Sequence, residues 1–270
     1  MEKTNDNKVV HLNKKIHKTA VVHPGAKIGE DVEIGPYAII GENVEIGDNT
    51  KIEPHVVIEG WTKIGKGNKI FNGASIGQEP QDLKFHGEQS YLEIGDNNTI
   101  REFATIHRGT EDGGGLTKIG NNNLIMAYCH VAHDCQLGDR IIMSNAATLA
   151  GHVIVEDSAV IGGLAGVHQF ARVGKMAMIG AASKVVKDVP PYVLVDGHPA
   201  CVKGINIVGL RRNGISPELR SQIKEAYKLL YRSNLNISQA IEKMDQELDS
   251  NPLIEHFLRF LRNAQRGICR

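Results

Sequence analysis

An aliphatic residue returns at every sixth position through much of this 270-residue chain. The residue two positions earlier is usually small or β-branched, and the residue that follows is often glycine. Neither the 3.6-residue period of a helix nor the two-residue alternation of a strand explains a period of six. A period of six indicates a β-helix, in which short strands wrap round a column and successive coils pair edge to edge. The aliphatic positions run from Ile16 to Ile76, from Ile94 to Ile106 and from Ile119 to Val185.

Three such six-residue segments, or hexads, complete one triangular coil. Residues eighteen positions apart should therefore stack about 4.8 Å from each other. The glycines after the aliphatic positions are expected to supply corner backbone angles that a side chain would forbid. The rhythm breaks twice, where Asp82 and Glu88 occupy core positions and where three consecutive glycines occur at 113–115. We therefore predict a column over residues 16–190 with loops near 77–93 and 107–118, after a lead-in at 1–15.

A C-terminal helical domain is predicted for residues 191–270. Ser216 followed by Pro217 is typical of a helix N-terminus, as is Asn251 followed by Pro252. A further helix is expected to begin after Asn236 or Ser238. The stretch from 197 to 214 gives no periodic pattern and is interpreted as irregular.

The bulk composition favours a reduced cytoplasmic protein. The 31 basic and 31 acidic residues balance, which gives no support for nucleic-acid or membrane-surface binding. No apolar run approaches the roughly 20 residues of a membrane span. The four cysteines have no CxxC spacing, and Cys129 and Cys135 fall at inward positions, where we expect buried thiols.

Several imidazoles converge when the eighteen-residue stacking is applied. Gly151 should lie one coil above His133, and His152 one coil above Asp134. An imidazole beside a carboxylate is the usual general-base arrangement, and a glycine N–H can stabilise an oxyanion. His23, His55 and His198 are interpreted as surface residues. The residues expected on one side of three coils are His130, His133, Asp134, Gly151, His152, His168 and Gln169.

Eight motifs carry a resemblance to a known family: QDLKF, IREFATIHRGT, GGGLTKIG, HVAHDC, ATLAGH, GGLAGVHQF, DVPPYV and YKLLYRS. Over nearly its whole length the chain resembles the acyl-(acyl-carrier-protein)–UDP-N-acetylglucosamine O-acyltransferases of lipid A biosynthesis. The resemblance implies an all-β left-handed parallel β-helix of hexapeptide repeats with a C-terminal α-helical domain. It also implies a homotrimer with active sites between subunits. The implied reaction is the first step of the pathway: transfer of a hydroxyacyl chain from acyl carrier protein to the sugar 3-hydroxyl.

The resemblance also assigns roles to residues. It implies that His133 is the general base with Asp134 beside it, and that Gly151 supplies the oxyanion-stabilising N–H. Neither a metal nor a cofactor is implied, because the acyl donor is carried on the phosphopantetheine of acyl carrier protein. Residues matching those that hold the sugar nucleotide or organise the site are Asp82, Lys84, His130, His152 and Gln169, to which stacking adds His168.

Further matches concern the nucleotide, the acyl chain and the carrier. Asn206 and Arg212 match nucleotide-side contacts, although Val208 replaces an acidic residue and Asn213 a basic one. Ala181 falls where the family's acyl-chain ruler lies, which suggests a chain of intermediate or long length. Basic residues that match carrier-protein docking positions on the first C-terminal helix are Lys224, Lys228 and Arg232.

Four alternatives stay open. The N-acyltransferase of the same pathway normally carries an extra domain before its hexads, whereas here the hexads begin near residue 16. An acetyl-CoA-dependent hexapeptide acetyltransferase fits the motifs less well. Imidazoles on neighbouring coils could instead hold zinc, as in γ-class carbonic anhydrases. A non-enzymatic column should show a flat, repetitive outer face, which the histidine stripe and two long loops do not give.

Overall fold

The computed structural model describes residues 15–270. The predicted lead-in therefore lies, apart from residue 15, outside the described residues. The column consists of short strands: β1 Lys15–Ile16, β2 Val21–Val22, β3 Lys27–Ile28, β4 Glu33–Ile34, β5 Ile39–Ile40, β6 Val44–Ile46, β7 Lys51–Ile52, β8 Val57–Ile58, β9 Trp61–Ile64, β10 Lys69–Ile70, β11 Ser75–Gln78, β12 Tyr91–Ile94, β13 Thr99–Ile100, β14 Thr105–His107, β15 Leu116–Ile119, β16 Leu124–Ile125, β17 His130–Val131, β18 Gln136–Leu137, β19 Ile142–Met143, β20 Thr148–Leu149, β21 Ile154–Val155, β22 Val160–Ile161, β23 Gly166–Val167, β24 Arg172–Val173, β25 Met178–Ile179 and β26 Lys184–Val185.

Every third strand joins the same parallel sheet, so the column has three faces. Sheet A contains β1, β4, β7, β10, β13, β16, β19, β22 and β25; sheet B contains β2, β5, β8, β11, β14, β17, β20, β23 and β26; sheet C contains β3, β6, β9, β12, β15, β18, β21 and β24. Ile34 pairs with Ile52, eighteen residues on, as the stacking predicts. Ile76 pairs with Ile106 instead, because a loop is inserted between β11 and β12.

The aliphatic positions and the small residues two before them fill the interior. Ile58, Ile70, Ile76, Ile100 and Ile106 are each 0 % exposed, and most of the other aliphatic positions from Ile34 onward are also buried. Burying one such side chain contributes about 1.5–3 kcal/mol. The hexad rhythm therefore supplies both the shape of the column and most of its apolar burial.

The expected role of the glycines is wrong. Left-handed backbone angles occur three residues after the aliphatic position, as at Tyr37 and His55, with φ of 58° and 59°. Of the glycines directly after aliphatic positions, only Gly77 has a positive φ, where a loop leaves the column. A Cβ on Gly47 would lie 2.6 Å from the carbonyl carbon of Gly65 in the next coil. These glycines are needed because the coils approach closely.

β-structure continues beyond residue 190, the predicted end of the column. Strand β27 (Val193–Gly197) extends sheet A in parallel, and β28 (Ala200–Ile205) pairs with it antiparallel. A short helix α1 (Ile207–Arg212) follows. The interpretation of 197–214 as irregular was therefore wrong, because two short elements without a long apolar period occupy it.

Three longer helices complete the chain: α2 Pro217–Tyr231, α3 Ile237–Glu247 and α4 Pro252–Arg262. Their N-caps are Ser216, Asn236 and Asn251, so the second helix uses the first of its two predicted starts. Their apolar faces form one core that also includes Tyr192 of the column. None of the helices within residues 15–270 combines the length and apolarity needed to cross a membrane.

Candidate active site

The edge between sheets B and C, which we term the B–C corner, carries a vertical row of functional side chains. Asp134, His152 and Phe170 follow strands β17, β20 and β23 at eighteen-residue intervals, and all three have left-handed backbone angles. The His152 ring stacks on Phe170 at 4.3 Å and meets His133 edge-on at 5.1 Å. Coil stacking thus brings residues from three successive turns into contact.

His133 and Asp134 form a hydrogen-bonded dyad at this corner. The His133 Nδ1 and Asp134 Oδ2 atoms are 2.7 Å apart. Asp134 also accepts hydrogen bonds from the Thr110 N–H at 2.9 Å and the Thr110 hydroxyl at 2.6 Å. The backbone N–H of Asp134 donates to Thr117 Oγ1 at 2.7 Å. The carboxylate, 1 % exposed, is therefore held on every side.

The electrostatics of the dyad favour an ionised Asp134. Burial alone would raise the pKa of Asp134, but hydrogen bonds from His133 and Thr110 and the nearby His152 together lower it. Burial lowers the pKa of His152, although Asp134 acts against this. An anionic Asp134 holds the His133 proton on Nδ1, which leaves Nε2 free to accept a proton.

Two loops close over the B–C corner, because both connect a strand of sheet B to a strand of sheet C. The loop 79–90 brings Asp82 Oδ2 to 3.9 Å from His133 Nε2. The loop 108–115 supplies Thr110. Lys84 Nζ lies 3.7 Å from Asp112 Oδ2 of the second loop. The loops therefore place Asp82 beside the dyad and Lys84 against the second loop.

Gly151 packs against the ring of His133. A Cβ at residue 151 would lie 2.6 Å from His133 Cε1 and 2.7 Å from Nε2, so any side chain there would displace the imidazole. Among the residues that the structure describes, none accepts a hydrogen bond from the Gly151 N–H. A bare donor thus lies beside the potential base, as the stacking predicts.

His130 belongs to a neighbouring polar group on sheet B. Its Nδ1 lies 2.7 Å from Thr105 Oγ1, and its ring meets His107 edge-on at 5.0 Å. Burial, reinforced by the nearby His130, His133 and Arg108, lowers the pKa of His107 to about 4. His107 and Arg108 line a cavity of about 720 Å3. This cavity presents a neutral imidazole and a guanidinium.

The remaining predicted substrate residues do not contact the dyad within one chain. His168 and Gln169 are exposed, and the His168 Nδ1–H donates to the Gln169 carbonyl at 3.1 Å. Asn206 caps helix α1 by accepting from the Gly209 N–H at 2.9 Å. Arg212 is exposed in the last turn of α1, and Ala181 is exposed after β25. Their predicted roles stay predictions.

The predicted docking residues lie on α2 and at its C-cap, Arg232, and are exposed. Lys224 and Arg232 have exposed side chains, and Lys228 Nζ lies 2.8 Å from Glu225 Oε1. An exposed ion pair of this kind contributes little to stability. The stripe is thus available to a partner.

Three residues of the site were not predicted: Thr110, Thr117 and Phe170. Phe170 lies eighteen residues after His152, so the stacking itself could have identified it. Thr117 falls two positions before the aliphatic Ile119, so the six-residue repeat could have identified it as an inward-facing residue. Thr110 lies in a loop whose path the repeat does not determine.

Among residues 15–270, three side chains could hold a metal ion. His133, Asp134 and His152 each offer one ligand atom, and these atoms lie within 4.8 Å of one another.

The predicted surface histidines His23, His55 and His198 are all exposed. Cys129 and Cys135 are buried, as predicted, and burial raises the pKa of the Cys135 thiol to about 12.

Protein-family models match both the column and the C-terminal part of the chain. The family model for UDP-N-acetylglucosamine O-acyltransferase domain 2 matches residues 188–269. The bacterial transferase hexapeptide model matches residues 13–47, 43–78 and 116–151. The fold class predicted from the hexads and the motifs is confirmed.

Relatives with established names cover most of the chain. An acyl-(acyl-carrier-protein)–UDP-N-acetylglucosamine O-acyltransferase of Gloeothece citriformis is 48% identical over 209 residues, which is 77% of this chain and 75% of that protein. The solved LpxA of Acinetobacter baumannii is 47% identical, covers 95% of this chain and 100% of its own, and superposes with a TM-score of 0.92. The LpxA of Bacteroides fragilis is 49% identical, with 94% and 99% covered and a TM-score of 0.92. This chain belongs to the acyl-(acyl-carrier-protein)–UDP-N-acetylglucosamine O-acyltransferase family.

Proposed function

We propose that the protein transfers an acyl chain from acyl carrier protein to the 3-hydroxyl of UDP-N-acetylglucosamine, the first step of lipid A biosynthesis. The names of its relatives support this activity. The observation that carries the mechanism is the His133–Asp134 hydrogen bond of 2.7 Å, with Gly151 packed on the imidazole.

In the proposed mechanism, His133 Nε2 accepts the proton of the sugar hydroxyl as the oxygen attacks the thioester carbonyl carbon. Asp134 stabilises the imidazolium that forms. The Gly151 N–H donates to the developing oxyanion. When the intermediate collapses, the carbon–sulfur bond breaks and His133 returns its proton to the departing thiolate. The products are the acyl ester and the carrier protein with a free thiol.

The loops beside the dyad are proposed to position the sugar. Asp82, 3.9 Å from His133 Nε2, can accept a hydrogen bond from a sugar hydroxyl, and Lys84 can meet the negative charge of the diphosphate. His130, His152, His168 and Gln169 are proposed to organise the same site.

A homotrimer is proposed to complete the site. Asn206 and Arg212, proposed for the nucleotide, lie on or beside α1 and make no contact with the dyad of their own chain among the described residues. Exposed apolar side chains along one corner of the column support association, because Tyr37, Tyr128 and Leu164 are 57 %, 63 % and 72 % exposed. Light scattering after size exclusion should give three times the chain mass of 29.5 kDa. A monomer at assay concentrations would contradict this assembly.

Acyl carrier protein is proposed to dock on the basic stripe along α2 and its C-cap, at Lys224, Lys228 and Arg232. Ala181 is proposed to limit the acyl-chain length. One methylene in an apolar pocket changes the discrimination between two acyl chains by about 1–3 kcal/mol, so Ala181→Met should shift the preference towards shorter chains.

The cytoplasmic location of the protein stays a prediction from the sequence.

Catalysis without a metal is proposed, although three potential ligands converge on the corner. Asp134 Oδ2 already accepts hydrogen bonds from the Thr110 hydroxyl and from His133, so its lone pairs are occupied. A zinc ion bound to this oxygen would have to displace one of these donors. Elemental analysis of the purified protein, with activity assayed in the presence of chelators, tests the point; stoichiometric zinc and loss of activity would favour the zinc alternative.

An assay with UDP-N-acetylglucosamine and a panel of 3-hydroxyacyl carrier-protein thioesters tests the proposed function. Mass spectrometry of the product identifies whether an ester has formed at the 3-position. A parallel reaction uses a UDP-sugar with an amine at that position. Transfer to the amine alone would make the protein an N-acyltransferase and contradict the proposal.

A further inference from the structure

The Arg108 side chain is a buried guanidinium that the proposed mechanism does not use. It belongs to the motif IREFATIHRGT, and its side chain is 7 % exposed. Among residues 15–270 it forms one salt bridge, at 3.4 Å, to Glu79, whose own side chain is 72 % exposed. An ion pair with so exposed a partner contributes little. Since a cation removed from water is costly unless other groups compensate it, the other neighbours of Arg108 must supply most of that compensation.

The column provides a fitted place for this guanidinium. Arg108 Nη1 donates to the Gly77 carbonyl at 3.1 Å. The guanidinium carbon lies 5.9 Å from the centre of the Trp61 ring on β9. Gly60 has a φ of 63°, and a Cβ there would lie 3.0 Å from Arg108 Nη1 and 2.7 Å from the Gly77 carbonyl oxygen. A side chain at residue 60 would therefore intrude on the space that the guanidinium occupies.

The same guanidinium also contacts the loop 79–90. Its carbon lies 5.3 Å from the centre of the ring of Phe85, a half-buried residue in the middle of this loop. A ring face attracts a cation within about 6 Å of its centre, and it does so more strongly where water is excluded. The Arg108 side chain thus connects an aromatic residue of the column, Trp61, with an aromatic residue of the loop.

The main chain beside Arg108 fastens both ends of this loop. The Arg108 N–H donates to the carbonyl of Gln78, the last residue of β11, at 3.2 Å. The Gly109 N–H donates to the carbonyl of Tyr91, the first residue of β12, at 3.1 Å. Because the ends are held by main-chain bonds, replacing the Arg108 side chain should release the middle of the loop and leave its ends in place.

Phe85 and Asp82 are the two ends of one turn in the loop. The Phe85 N–H donates to the Asp82 carbonyl at 3.0 Å. The Lys84 N–H donates to Asp82 Oδ1, also at 3.0 Å. The other carboxylate oxygen, Oδ2, lies 3.9 Å from His133 Nε2. A turn closed by two hydrogen bonds moves as a unit, so a fixed Phe85 ring also fixes the Asp82 carboxylate.

We propose that Arg108 is a positioning residue for the sugar acceptor: by holding Phe85 against the column, it keeps the Asp82 carboxylate beside His133. This rests on the proposed function, in which Asp82 accepts a hydrogen bond from a sugar hydroxyl. The effect of Arg108 on the reaction passes through the turn 82–85. Such an effect is measurable, because a displacement of about 1 Å at a substrate-positioning group can lower a rate by as much as about 100-fold.

Hydrogen exchange on the full-length protein tests the contact between Arg108 and Phe85 without any reaction. In Arg108→Gln, residues 82–85 should exchange about tenfold faster than in the wild-type protein. Strands β11 and β12 should exchange at the wild-type rate. Arg108→Lys should resemble Arg108→Gln, because a compact ammonium cannot replace a planar guanidinium against the rings. Wild-type exchange of residues 82–85 in Arg108→Gln would overturn the proposal.

Two further variants complete this experiment. Phe85→Ala removes the loop's half of the contact and leaves the column intact, so it should speed exchange of the turn even if Arg108→Gln lowers the unfolding temperature. Arg140→Gln is the control, since Arg140 is 55 % exposed at the edge between sheets C and A. It should exchange as the wild-type protein does. Slow exchange of the turn in a folded Phe85→Ala variant would overturn the proposal.

Steady-state kinetics show whether the contact serves the sugar. Arg108→Gln and Phe85→Ala should each lower kcat/KM for UDP-N-acetylglucosamine about tenfold and leave KM for the acyl carrier thioester unchanged. Arg140→Gln should alter neither. Unchanged kcat/KM for the sugar nucleotide, or an equal loss of affinity for both substrates, would overturn the proposal.

A double-mutant cycle shows whether Arg108 acts through Asp82. Asp82→Asn combined with Arg108→Gln should be no slower than Asp82→Asn alone, because the position of residue 82 ceases to matter once its carboxylate is lost. Losses that multiply would mean that Arg108 acts by another route and would overturn the proposal. Faster exchange of the turn in Arg108→Gln, in a protein whose wild type transfers no acyl chain, would contradict the proposed function and leave the contact between Arg108 and Phe85 established.

Discussion

Two corners of the same column have the same backbone and very different side-chain chemistry. The edge between sheets A and B, the A–B corner, carries exposed stacked rings, with Tyr37 against His55 at 5.1 Å and Phe103 against Tyr128 at 5.3 Å. The B–C corner carries Asp134, whose side chain is 1 % exposed. Both rows have left-handed angles three residues after an aliphatic position. The repeat thus makes a vertical row at either corner but does not by itself make a site.

The loops account for the difference. The loops 79–90 and 108–115 both leave sheet B and close over the B–C corner. Thr110 then donates two hydrogen bonds to Asp134 and removes its carboxylate from solvent. No loop of comparable length leaves sheet A within the column of residues 15–185, where turns of four residues connect sheets A and B. A regular repeat becomes a candidate active site where insertions bury and orient one of its rows.

The largest expected contrast compares one histidine from each corner. His133→Ala should lower kcat by at least about 100-fold, because loss of a general base typically costs 10²–10⁴-fold. His55→Asn, at a left-handed position that asparagine tolerates, should leave kcat unchanged. Both variants should keep the wild-type unfolding temperature within a few degrees. Near-normal turnover in His133→Ala would remove this residue from the role of base.

A second contrast concerns the close approach of Gly151 to the imidazole. Gly151→Ala should lower kcat about 10–100-fold, because the new Cβ would meet His133 at 2.6 Å and displace a reacting group by a fraction of an ångström. Gly166→Ala is the control, since a Cβ there has no other atom within 4 Å. If the two variants turn over equally fast, the packing of residue 151 does not position the base.

The third contrast tests whether the loop makes the site. Thr110→Val removes the hydroxyl that donates to Asp134 Oδ2 at 2.6 Å but keeps the backbone donor. We expect kcat to fall about tenfold, because a hydrogen bond to a charged group contributes about 1.5–3 kcal/mol. Thr19→Val removes a hydroxyl from the A–B corner, where it accepts from the Tyr37 N–H at 3.2 Å, and should leave kcat unchanged. Unaltered kinetics in Thr110→Val would show that the loop only covers the corner.

The sequence predicts the parts of this contrast that follow from the repeat. Eighteen-residue stacking is sufficient to place Gly151 on His133 and His152 above Asp134, because each coil has a fixed length. It could not place Thr110, since a loop path depends on tertiary contacts rather than on a period. It also gave the wrong reason for the glycines, because close contact between coils and a positive φ both favour glycine. The short helix α1 was missed, since six residues carry too little periodicity to detect.

The smallest expected effect is a pH dependence of the free energy of unfolding, which arises from His107 in the polar group beside His130. The pKa of His107 falls to about 4 in the folded protein, from about 6.5 when unfolded. Below pH 6.5 the unfolded chain therefore binds a proton at His107 that the folded protein does not bind. The free energy of unfolding is consequently unaffected by His107 above pH 6.5 and falls as the pH is lowered from 6.5 towards 4. Between pH 7.5 and 5.5 the wild-type protein should lose about 1 kcal/mol more than His107→Gln. Urea unfolding at one protein concentration measures this difference, and parallel losses in the two proteins would mean that His107 is not kept neutral by its surroundings.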